Sequence, residues 1–253
     1  MTGSDGHGEA PAAWHEATRA QWLTPRLGDP AAQRRDMIAA LRERLAGLGP
    51  VLGGAAIEDA LGAMAGVPRE LFVCPMAADF AYLPGPVDIG MDQIMSHPEL
   101  VAVMTAAVAV RGGRMLDVGT GSGYQAAVLA QLAVGVTSVE IIAGHADLAR
   151  WRLERAGMAQ VEVIHADATA PGLWAPRSFD GIIIAAGAAQ VPPVLLDALV
   201  IGGRLVAPLG PSHAEERLVR IERVAGTAFR RTDLMPARFV PLTGIGQRDS
   251  GTP

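Results

Sequence analysis

The chain has 253 residues, of which half are hydrophobic, and a formal net charge of −5 at pH 7. It contains no uninterrupted run of about 18 or more apolar residues, it opens without a basic patch followed by an apolar segment, and its 21 basic residues are scattered arginines. We therefore expect no membrane partner, no secretory signal and no nucleic-acid partner, and the single Cys74 excludes an internal disulfide framework and favours a cytoplasmic enzyme.

The two ends of the chain lack the periodicity of regular structure. Residues 1–30 are rich in Gly, Ala and Pro, which is typical of a mobile arm, although Trp14 and Trp22 offer anchors for it. Residues 245–253 are predicted to form a flexible tail. We therefore expect the folded part of the chain to lie between these two segments.

Helical patterns follow the arm. Apolar side chains recur at helical spacing in residues 31–48, where Gly49-Pro50 is predicted to end the helix, and again in residues 57–65. Both helices precede the glycine-rich strand described below, so they are predicted to form a cap or lid rather than crossovers of a sheet. Together with the loops that follow, this helical cap and substrate-loop region comprises residues 31–110.

The loops of this region contain the first candidate site. Residues 68–95 hold four prolines and are predicted to form a long irregular segment, and such loops beside a ligand-binding fold are often functional. The run Ser96-His97-Pro98-Glu99 then opens a helix that continues to about residue 110. A serine N-cap with a glutamate three residues later forms a capping box, so capping alone is one explanation for Ser96.

A strand, a glycine loop and a helix occupy residues 114–132. Met115, Leu116 and Val118 form a short apolar strand around Asp117, and glycines follow at positions 119, 121 and 123. A helical pattern continues beyond the loop. This arrangement is predicted to place unpaired backbone N–H groups at a helix N-terminus beside a carboxylate, which suits a small ligand that carries both charge and hydrogen-bonding groups.

From this stretch onward strands and helices alternate. The predicted elements are strands at residues 136–140, 161–165, 179–185 and 204–208, helices at residues 146–156 and 192–200, and a turn at Gly202-Gly203. Such alternation is typical of a parallel sheet covered by helices on both faces. Residues 111–244 are therefore predicted to form a doubly wound α/β core.

The end of the core shows a different pattern. Residues 217–224 and 228–233 alternate polar and apolar side chains on either side of a short glycine-containing turn. This pattern predicts an antiparallel hairpin at the edge of the sheet. Residues 238–240 are predicted to form a last short strand.

The glycine loop lacks the features of phosphate-binding loops. The dinucleotide fingerprint GxGxxG requires a glycine where this chain has Tyr124, and no lysine is present to complete a P-loop. Glu140 follows Asp117 by 23 residues, near the offset of about 20 at which an acidic side chain binds ribose hydroxyls. Asp167 follows the next strand, where it can contact an adenine amino group. A cationic nucleoside ligand, S-adenosylmethionine (SAM), fits this pattern best.

Simpler roles exist for two of these acids. Asp167 can cap a turn, and Asp117 can accept backbone N–H groups of the glycine loop. The six histidines show no paired helical spacing, so no metal site is predicted.

Several motifs together resemble the protein-L-isoaspartate (D-aspartate) O-methyltransferase family. The motifs are VPRELFV, the pattern GxxQxxSxP that ends at Pro98, MLDVGTGSGYQAAVLAQL, VTSVE, FDGIIIAA, VPPVLLDALVIGGRLVAPLG and RFVPLTG. The resemblance covers roughly residues 37–244. It implies a mostly parallel seven-stranded methyltransferase sheet with a swapped edge hairpin, SAM as methyl donor with S-adenosylhomocysteine as product, and methylation of a carboxylate at an abnormal aspartyl residue.

The resemblance also implies the site residues. It places Ser96 at the substrate carboxylate, with the substrate-binding side chains nearby. The implied substrate-binding residues are Gln93, Ile94, Met95 and His97, and the implied cofactor-binding residues are Asp117, Gly119, Thr120, Gly121, Ser122, Gly123, Glu140, Asp167 and Ala168. Because a carboxylate is already ionised at pH 7, methyl transfer to it needs no general base, which agrees with the absence of a catalytic triad pattern.

The chain departs from the family pattern at two places near the site. Gln93-Ile94-Met95-Ser96 stands where the family reads QTIS, and residues 185–189 read AAGAA where the family reads TAAAP, so each place loses a hydroxyl. Three functions stay open on these residues. The first is repair methylation of isoaspartyl or D-aspartyl residues in proteins. The second is methylation of a normal aspartate in a dedicated precursor peptide of ribosomal peptide biosynthesis, which gives an aspartimide. The third is SAM binding without transfer.

Overall fold

A computed structural model describes residues 28–109, 111–211 and 215–244. The predicted tail lies outside the described residues, as does the arm apart from residues 28–30. The described α-helices are α1 (Pro30–Leu45), α2 (Gly49–Leu52), α3 (Gly54–Ala65), α4 (Pro98–Val108), α5 (Tyr124–Leu129), α6 (Ala143–Arg155) and α7 (Pro193–Ala198). The strands are β1 (Val87–Gly90), β2 (Gln93–Met95), β3 (Arg114–Val118), β4 (Gly135–Glu140), β5 (Glu162–His165), β6 (Phe179–Ile184), β7 (Leu199–Leu209), β8 (Arg217–Arg223) and β9 (Phe229–Pro236).

Seven of these strands form one sheet in the order β5-β4-β3-β6-β7-β8-β9. The pairs from β5 to β7 are parallel, whereas β7 with β8 and β8 with β9 are antiparallel. The predicted parallel sheet with an antiparallel edge hairpin is thus confirmed. Because parallel strands end at one edge of a sheet, the segments after β3, β4, β5 and β6 meet there.

The sheet separates two apolar clusters, which explains the sequence of its central strands. In β6, Ile183 faces the cluster shared with the cap, whereas Ile182 and Ile184 face the cluster that contains α7. All three side chains are fully buried. Burial on both faces accounts for the continuous apolar run in this strand, as expected for the centre of a parallel sheet.

The helical cap packs on α4. Leu45 of α1 and Leu61 and Met64 of α3 are fully buried, and they belong to the same apolar cluster as α4 and α5. The cap is therefore continuous with the core by packing, and the division of the chain at residue 110 stays a prediction.

The helix end predicted at Gly49-Pro50 is confirmed: α1 ends at Leu45, a 3-10 helix follows over Ala46–Leu48, and a separate helix, α2, begins at Gly49. Pro50 lies in the first turn of α2, where its missing N–H is not required. Two other local predictions were wrong. Gly202-Gly203 does not separate two elements, since β7 runs through it as a bulge in which Gly202 has φ +83°. Residues 238–240 form no strand, and Pro241 makes only an isolated bridge to Gly187.

The proline-rich loop is more regular than expected. Residues 68–95 contain two 3-10 helices, Arg69–Phe72 and Pro75–Phe80, followed by the antiparallel hairpin β1–β2. The hairpin turns at Met91 and Asp92, which both adopt positive φ. It ends directly before Ser96 and so brings the first candidate site to the edge of the large sheet.

Candidate functional site

A cavity of about 230 Å³ lies at the carboxyl edge of the parallel strands. We call it the first cavity. Its walls come from the β2 segment, the glycine loop, the ends of β4 and β6, and a coil segment near the C-terminus. The bordering residues are Gln93, Ile94, Met95, Ser96, Val101, Met104, Val118, Gly119, Thr120, Gly121, Ser122, Tyr124, Gln125, Val139, Glu140, Ile141, Ile142, Ala166, Ala168, Ala185, Ala186, Val240, Pro241, Leu242 and Thr243.

The glycine loop turns sharply because three glycines adopt positive φ. The φ values are +87° at Gly119, +50° at Gly121 and +90° at Gly123, a region that other residues rarely adopt. Gly119 and Gly121 border the first cavity, whereas Gly123 packs against Ala149 and Leu153 of α6. Gly123 is therefore placed to fix the helix α5 rather than to contact a ligand.

Most N–H groups of the loop are already bonded inside the protein, contrary to our expectation. Gly119 and Thr120 both donate to the Val139 carbonyl at 2.9 and 3.2 Å, and Gly123 donates to the Thr120 carbonyl at 2.8 Å. Gly121 donates to Glu140 Oε2 at 2.8 Å. The loop thus offers no cluster of free amides for a phosphate, which agrees with a ligand of the nucleoside type.

Asp117 lies beneath the loop and does not border the cavity. Its Oδ2 accepts a hydrogen bond from the Ser138 hydroxyl at 2.7 Å, and the Thr120 hydroxyl lies 2.6 Å from that of Ser138. Because Ser138 gives its only hydrogen to Asp117, Thr120 donates to Ser138. Complete burial raises the pKa of Asp117 to about 7, and the Ser138 bond opposes this shift while the charge of Glu140 adds to it.

Glu140 connects the loop to the next helix. Its Oε2 accepts the Gly121 N–H, and its Oε1 accepts the Ile142 N–H at 2.9 Å, just before α6. The side chain borders the first cavity at the end of β4. An ionised carboxylate has about four acceptor sites, so Glu140 can still bind two ligand hydroxyls.

The third acid is engaged in a turn. Asp167 Oδ1 accepts the Thr169 N–H at 2.8 Å and the Thr169 hydroxyl at 2.7 Å. Its neighbours Ala166 and Ala168 border the first cavity, and Asp167 does not. The simpler explanation of Asp167 as a turn cap describes this geometry, and its contact with an adenine group stays a prediction.

A second cavity of about 480 Å³ adjoins the first. Four residues border both cavities, namely Ile94, Ser96, Ala185 and Val240, and we call them the junction. The other residues of the second cavity are Pro86, His97, Glu99, Leu100, Glu216, Met235, Pro236, Ala237, Arg238 and Phe239. Within the junction, Ser96 carries the only hydroxyl group.

The prediction that Ser96 caps α4 was wrong. The N-cap is His97, whose Nδ1 accepts the Glu99 N–H at 3.0 Å. No described residue forms a hydrogen bond with the Ser96 hydroxyl. His97 borders the second cavity, and its pKa is lowered by burial despite the opposing charge of Glu99. The Ser96 hydroxyl is therefore available at the junction.

A C-terminal segment that we did not select as a site forms part of both walls. We call residues 237–243 the strap. It is held by the buried Glu216, whose backbone carbonyl accepts the Ala237 N–H and whose Oε2 accepts the Phe239 N–H, both at 3.0 Å. Gly187 pairs with it by accepting from Leu242 at 2.7 Å and donating to Val240 at 2.8 Å. The sequence signals for this wall were the motif RFVPLTG and the short strand predicted at residues 238–240.

Other classes of site receive no support from the described residues. Within residues 28–109, 111–211 and 215–244, no three His, Cys, Asp or Glu side chains are grouped so that they could hold a metal ion. Over the same residues, no helix combines the length and the apolar character needed to cross a bilayer.

Comparison with known proteins identifies the family. The family model for protein-L-isoaspartate (D-aspartate) O-methyltransferases matches residues 52–247. The chain belongs to this family. It is 44% identical over 185 residues to the protein-L-isoaspartate O-methyltransferase of Rhodopseudomonas palustris, and this alignment covers 73% of this chain and 84% of the relative. It is 45% identical over 198 residues to the protein-L-isoaspartate O-methyltransferase of Anaeromyxobacter dehalogenans, and this alignment covers 77% of this chain and 94% of the relative.

A solved structure supports the isoaspartate methyltransferase fold. A protein of Plasmodium falciparum, described as a protein-L-isoaspartate O-methyltransferase and solved in complex with S-adenosyl-L-homocysteine, superposes with a TM-score of 0.65 at 22% identity. The match covers 81% of this chain and 97% of that chain. The predicted seven-stranded, mostly parallel methyltransferase fold is thus confirmed.

The two departures from the family pattern lie at one place in this isoaspartate methyltransferase fold. Ile94 replaces a threonine in the QTIS motif, and Ala185 replaces another after β6. Both residues belong to the junction. The positions are far apart in the sequence, so only the structure shows that the two lost hydroxyls affect a common wall.

Proposed function

We propose that the chain is a SAM-dependent carboxyl O-methyltransferase that acts on L-isoaspartyl or D-aspartyl residues of proteins and so permits their repair. The observation that carries the proposal is the junction, where two cavities meet at the free hydroxyl of Ser96. One cavity has the chemistry of a methyl-donor site, and the other is open to a polypeptide. Family membership supports the same reaction class.

The first cavity fits SAM better than a nucleotide phosphate. Glu140 offers carboxylate oxygens for ribose hydroxyls, and the backbone at Ala166 and Ala168 borders the region where an adenine ring would lie. The buried Asp117 has no hydrogen-bond partner for its Oδ1 among the described residues, so its ionised form would favour a cationic ligand above the loop, and such a ligand would in turn favour ionisation of Asp117. When bound, SAM supplies a methyl group on a positively charged sulfur.

The second cavity would receive the isoaspartyl residue. Ser96 lies where the cavities meet, so its hydroxyl can hold one carboxylate oxygen while the other faces the first cavity. With SAM bound, the new bond would join that oxygen to the methyl carbon as the carbon–sulfur bond breaks, S-adenosylhomocysteine would leave, and no proton would have to move. The protein therefore has to align the two groups and exclude water.

A comparison of matched peptides tests the proposal. The purified protein, SAM and three peptides that differ only in one residue (L-isoaspartyl, D-aspartyl or L-aspartyl) would be incubated, and methyl ester and released methanol measured. We expect turnover of the isoaspartyl peptide and none of the L-aspartyl peptide. Preference for the L-aspartyl peptide would indicate peptide tailoring instead. Binding of SAM by calorimetry without any transfer would refute the enzymatic proposal.

A further inference from the structure

Arg69 is a completely buried arginine beside the site. This residue begins the 3-10 helix that follows α3, and it is 0% exposed to solvent. Within residues 28–109, 111–211 and 215–244 it forms no ion pair with a carboxylate. Burial lowers the pKa of Arg69, while the neighbouring Tyr124 and Tyr82 oppose the shift. An unpaired buried cation is costly, so stability of the fold alone does not account for an arginine here.

The guanidinium group contacts three separate segments. Its Nη2 donates to the Ser96 carbonyl and its Nε donates to the Ala81 carbonyl, each at 2.7 Å. Its Cζ lies 4.6 Å from the centre of the Tyr124 ring, which is the distance of a cation–π contact. Tyr124 is itself 1% exposed and is the first residue of α5, directly after the glycine loop.

These contacts connect the two parts of the site. Ser96 belongs to the junction, and Tyr124 borders the first cavity next to the glycine loop. The carbonyl held by Arg69 belongs to the same residue as the hydroxyl at the junction, so this bond fixes the position of the backbone that carries the hydroxyl. A displacement of about 1 Å at a reacting group can reduce a rate about 100-fold.

We infer that Arg69 is a positioning residue for methyl transfer, because it fixes Ser96 relative to the glycine loop and α5. The inference rests on the proposed function. Arg69 does not border either cavity, so it acts through Ser96 and Tyr124 and not by contact with the substrate. Its planar group with several donors makes three contacts at once, which a lysine ammonium on a flexible stem cannot reproduce.

Three variants test this role. Arg69→Met removes charge and donors, Arg69→Lys keeps the charge alone, and Arg152→Met is the matched control, because Arg152 is 1% exposed on α6 and borders neither cavity. At a temperature at which all variants are folded, we expect both Arg69 variants to lower kcat for the isoaspartyl peptide about 10- to 100-fold, with SAM affinity changed less than about threefold. The control should keep kcat within about threefold of the wild type.

A double-mutant cycle with Ser96→Ala examines whether Arg69 acts through Ser96. If it does, Arg69→Met should reduce kcat much less in the Ser96→Ala background than in the wild type. Full activity of Arg69→Lys would show that charge alone matters, and equal losses in both backgrounds would show independence from Ser96. Either result would overturn the inference, as would a loss in the Arg152→Met control equal to that of the Arg69 variants.

Hydrogen exchange separates this inference from the proposed function. Arg69→Met should speed amide exchange in residues 95–101 and leave that of β3 and β6 unchanged, a readout that requires no turnover. If the wild type methylates no peptide but this exchange pattern is observed, the proposed function fails and the coupling of Arg69 to the Ser96 segment stands. Uniformly faster exchange would mean that Arg69 only stabilises the fold.

Discussion

The hydroxyl of Ser96 and the ring of His97 are adjacent in the chain but have separate tasks. His97 caps α4, and Ser96 leaves its hydroxyl at the junction. The capping box expected from the sequence failed because an imidazole nitrogen, one position later, reaches the same Glu99 N–H. Serine, aspartate and asparagine dominate N-caps, so the motif alone favoured the wrong residue.

Substitutions at these two neighbours should therefore affect different properties. We expect Ser96→Ala to lower kcat for the isoaspartyl peptide about 10- to 100-fold, which corresponds to the free energy of one hydrogen bond to a charged group. The SAM affinity and the free energy of unfolding should change little. We expect His97→Ala to cost about 1 kcal/mol of stability, since it removes the cap. Steady-state kinetics, calorimetry and urea denaturation measure these effects. A loss of stability without a loss of turnover in Ser96→Ala would contradict the assignment.

The strap has no regular secondary structure, and yet it contributes to both cavities. Its order depends on Gly187, because a Cβ at that position would overlap the carboxylate of Glu216. Glu216 in turn holds the backbone at Ala237 and Phe239. Because Gly187 has no side chain, Glu216 can hold the strap in this position, although the strap begins about 50 residues later in the chain.

We expect Gly187→Ala to displace the strap. Overpacking of this kind costs about 1–3 kcal/mol, and the peptide KM and the SAM affinity should both worsen because the strap borders both cavities. Gly226→Ala is a suitable control, since a Cβ at Gly226 in the β8–β9 turn would meet no atom within 4 Å. Calorimetry, kinetics and thermal denaturation of the two variants would show the difference. Unchanged affinity in Gly187→Ala would exclude this role for the strap.

Elements with a clear periodicity could be predicted, and those held by distant contacts could not. The run that became β6 was recognised because a buried parallel strand is continuously apolar, and β4 and β5 were recognised from the alternation of strand and helix patterns. Glu140, which was selected by its offset of 23 residues from Asp117, does border the first cavity. By contrast, the strap has no periodicity, and its position depends on Glu216 and Gly187. The contacts of Arg69 likewise join residues of separate segments.

For the whole molecule, two buried groups should give the stability an opposed pH dependence. The pKa of Asp117 is raised from 3.8 to about 7, so between these values the folded chain keeps a proton that the unfolded chain has lost, and stability falls as the pH rises. Burial and the charge of Arg152 lower the pKa of His145 from 6.5 to about 4, while the nearby Gly90 backbone opposes the shift. Between these values only the unfolded chain gains a proton, so stability falls as the pH falls.

The two contributions should nearly cancel between about pH 4 and 6.5 in the wild type, and single variants should reveal them. Asp117→Asn should stabilise the ligand-free protein at pH 8 by on the order of 2–4 kcal/mol, with a smaller effect at pH 5. His145→Leu should weaken the loss of stability between pH 6.5 and 4.5. Urea denaturation at these pH values would measure both. If the free energy of unfolding of a variant changes with pH in parallel with that of the wild type, the replaced side chain does not titrate as described.

The apolar character of the junction has a consequence for the reaction rate. The proposed reaction joins an anion to a cation and leaves two neutral products, so its transition state is less polar than its reactants. Water solvates the separate ions strongly and thereby slows such a reaction, whereas a medium of low polarity favours it. Ile94, Ala185 and Val240 place apolar side chains beside the single hydroxyl of Ser96. The two threonines that this chain lacks would have made the same place more polar, so their loss is compatible with efficient methyl transfer.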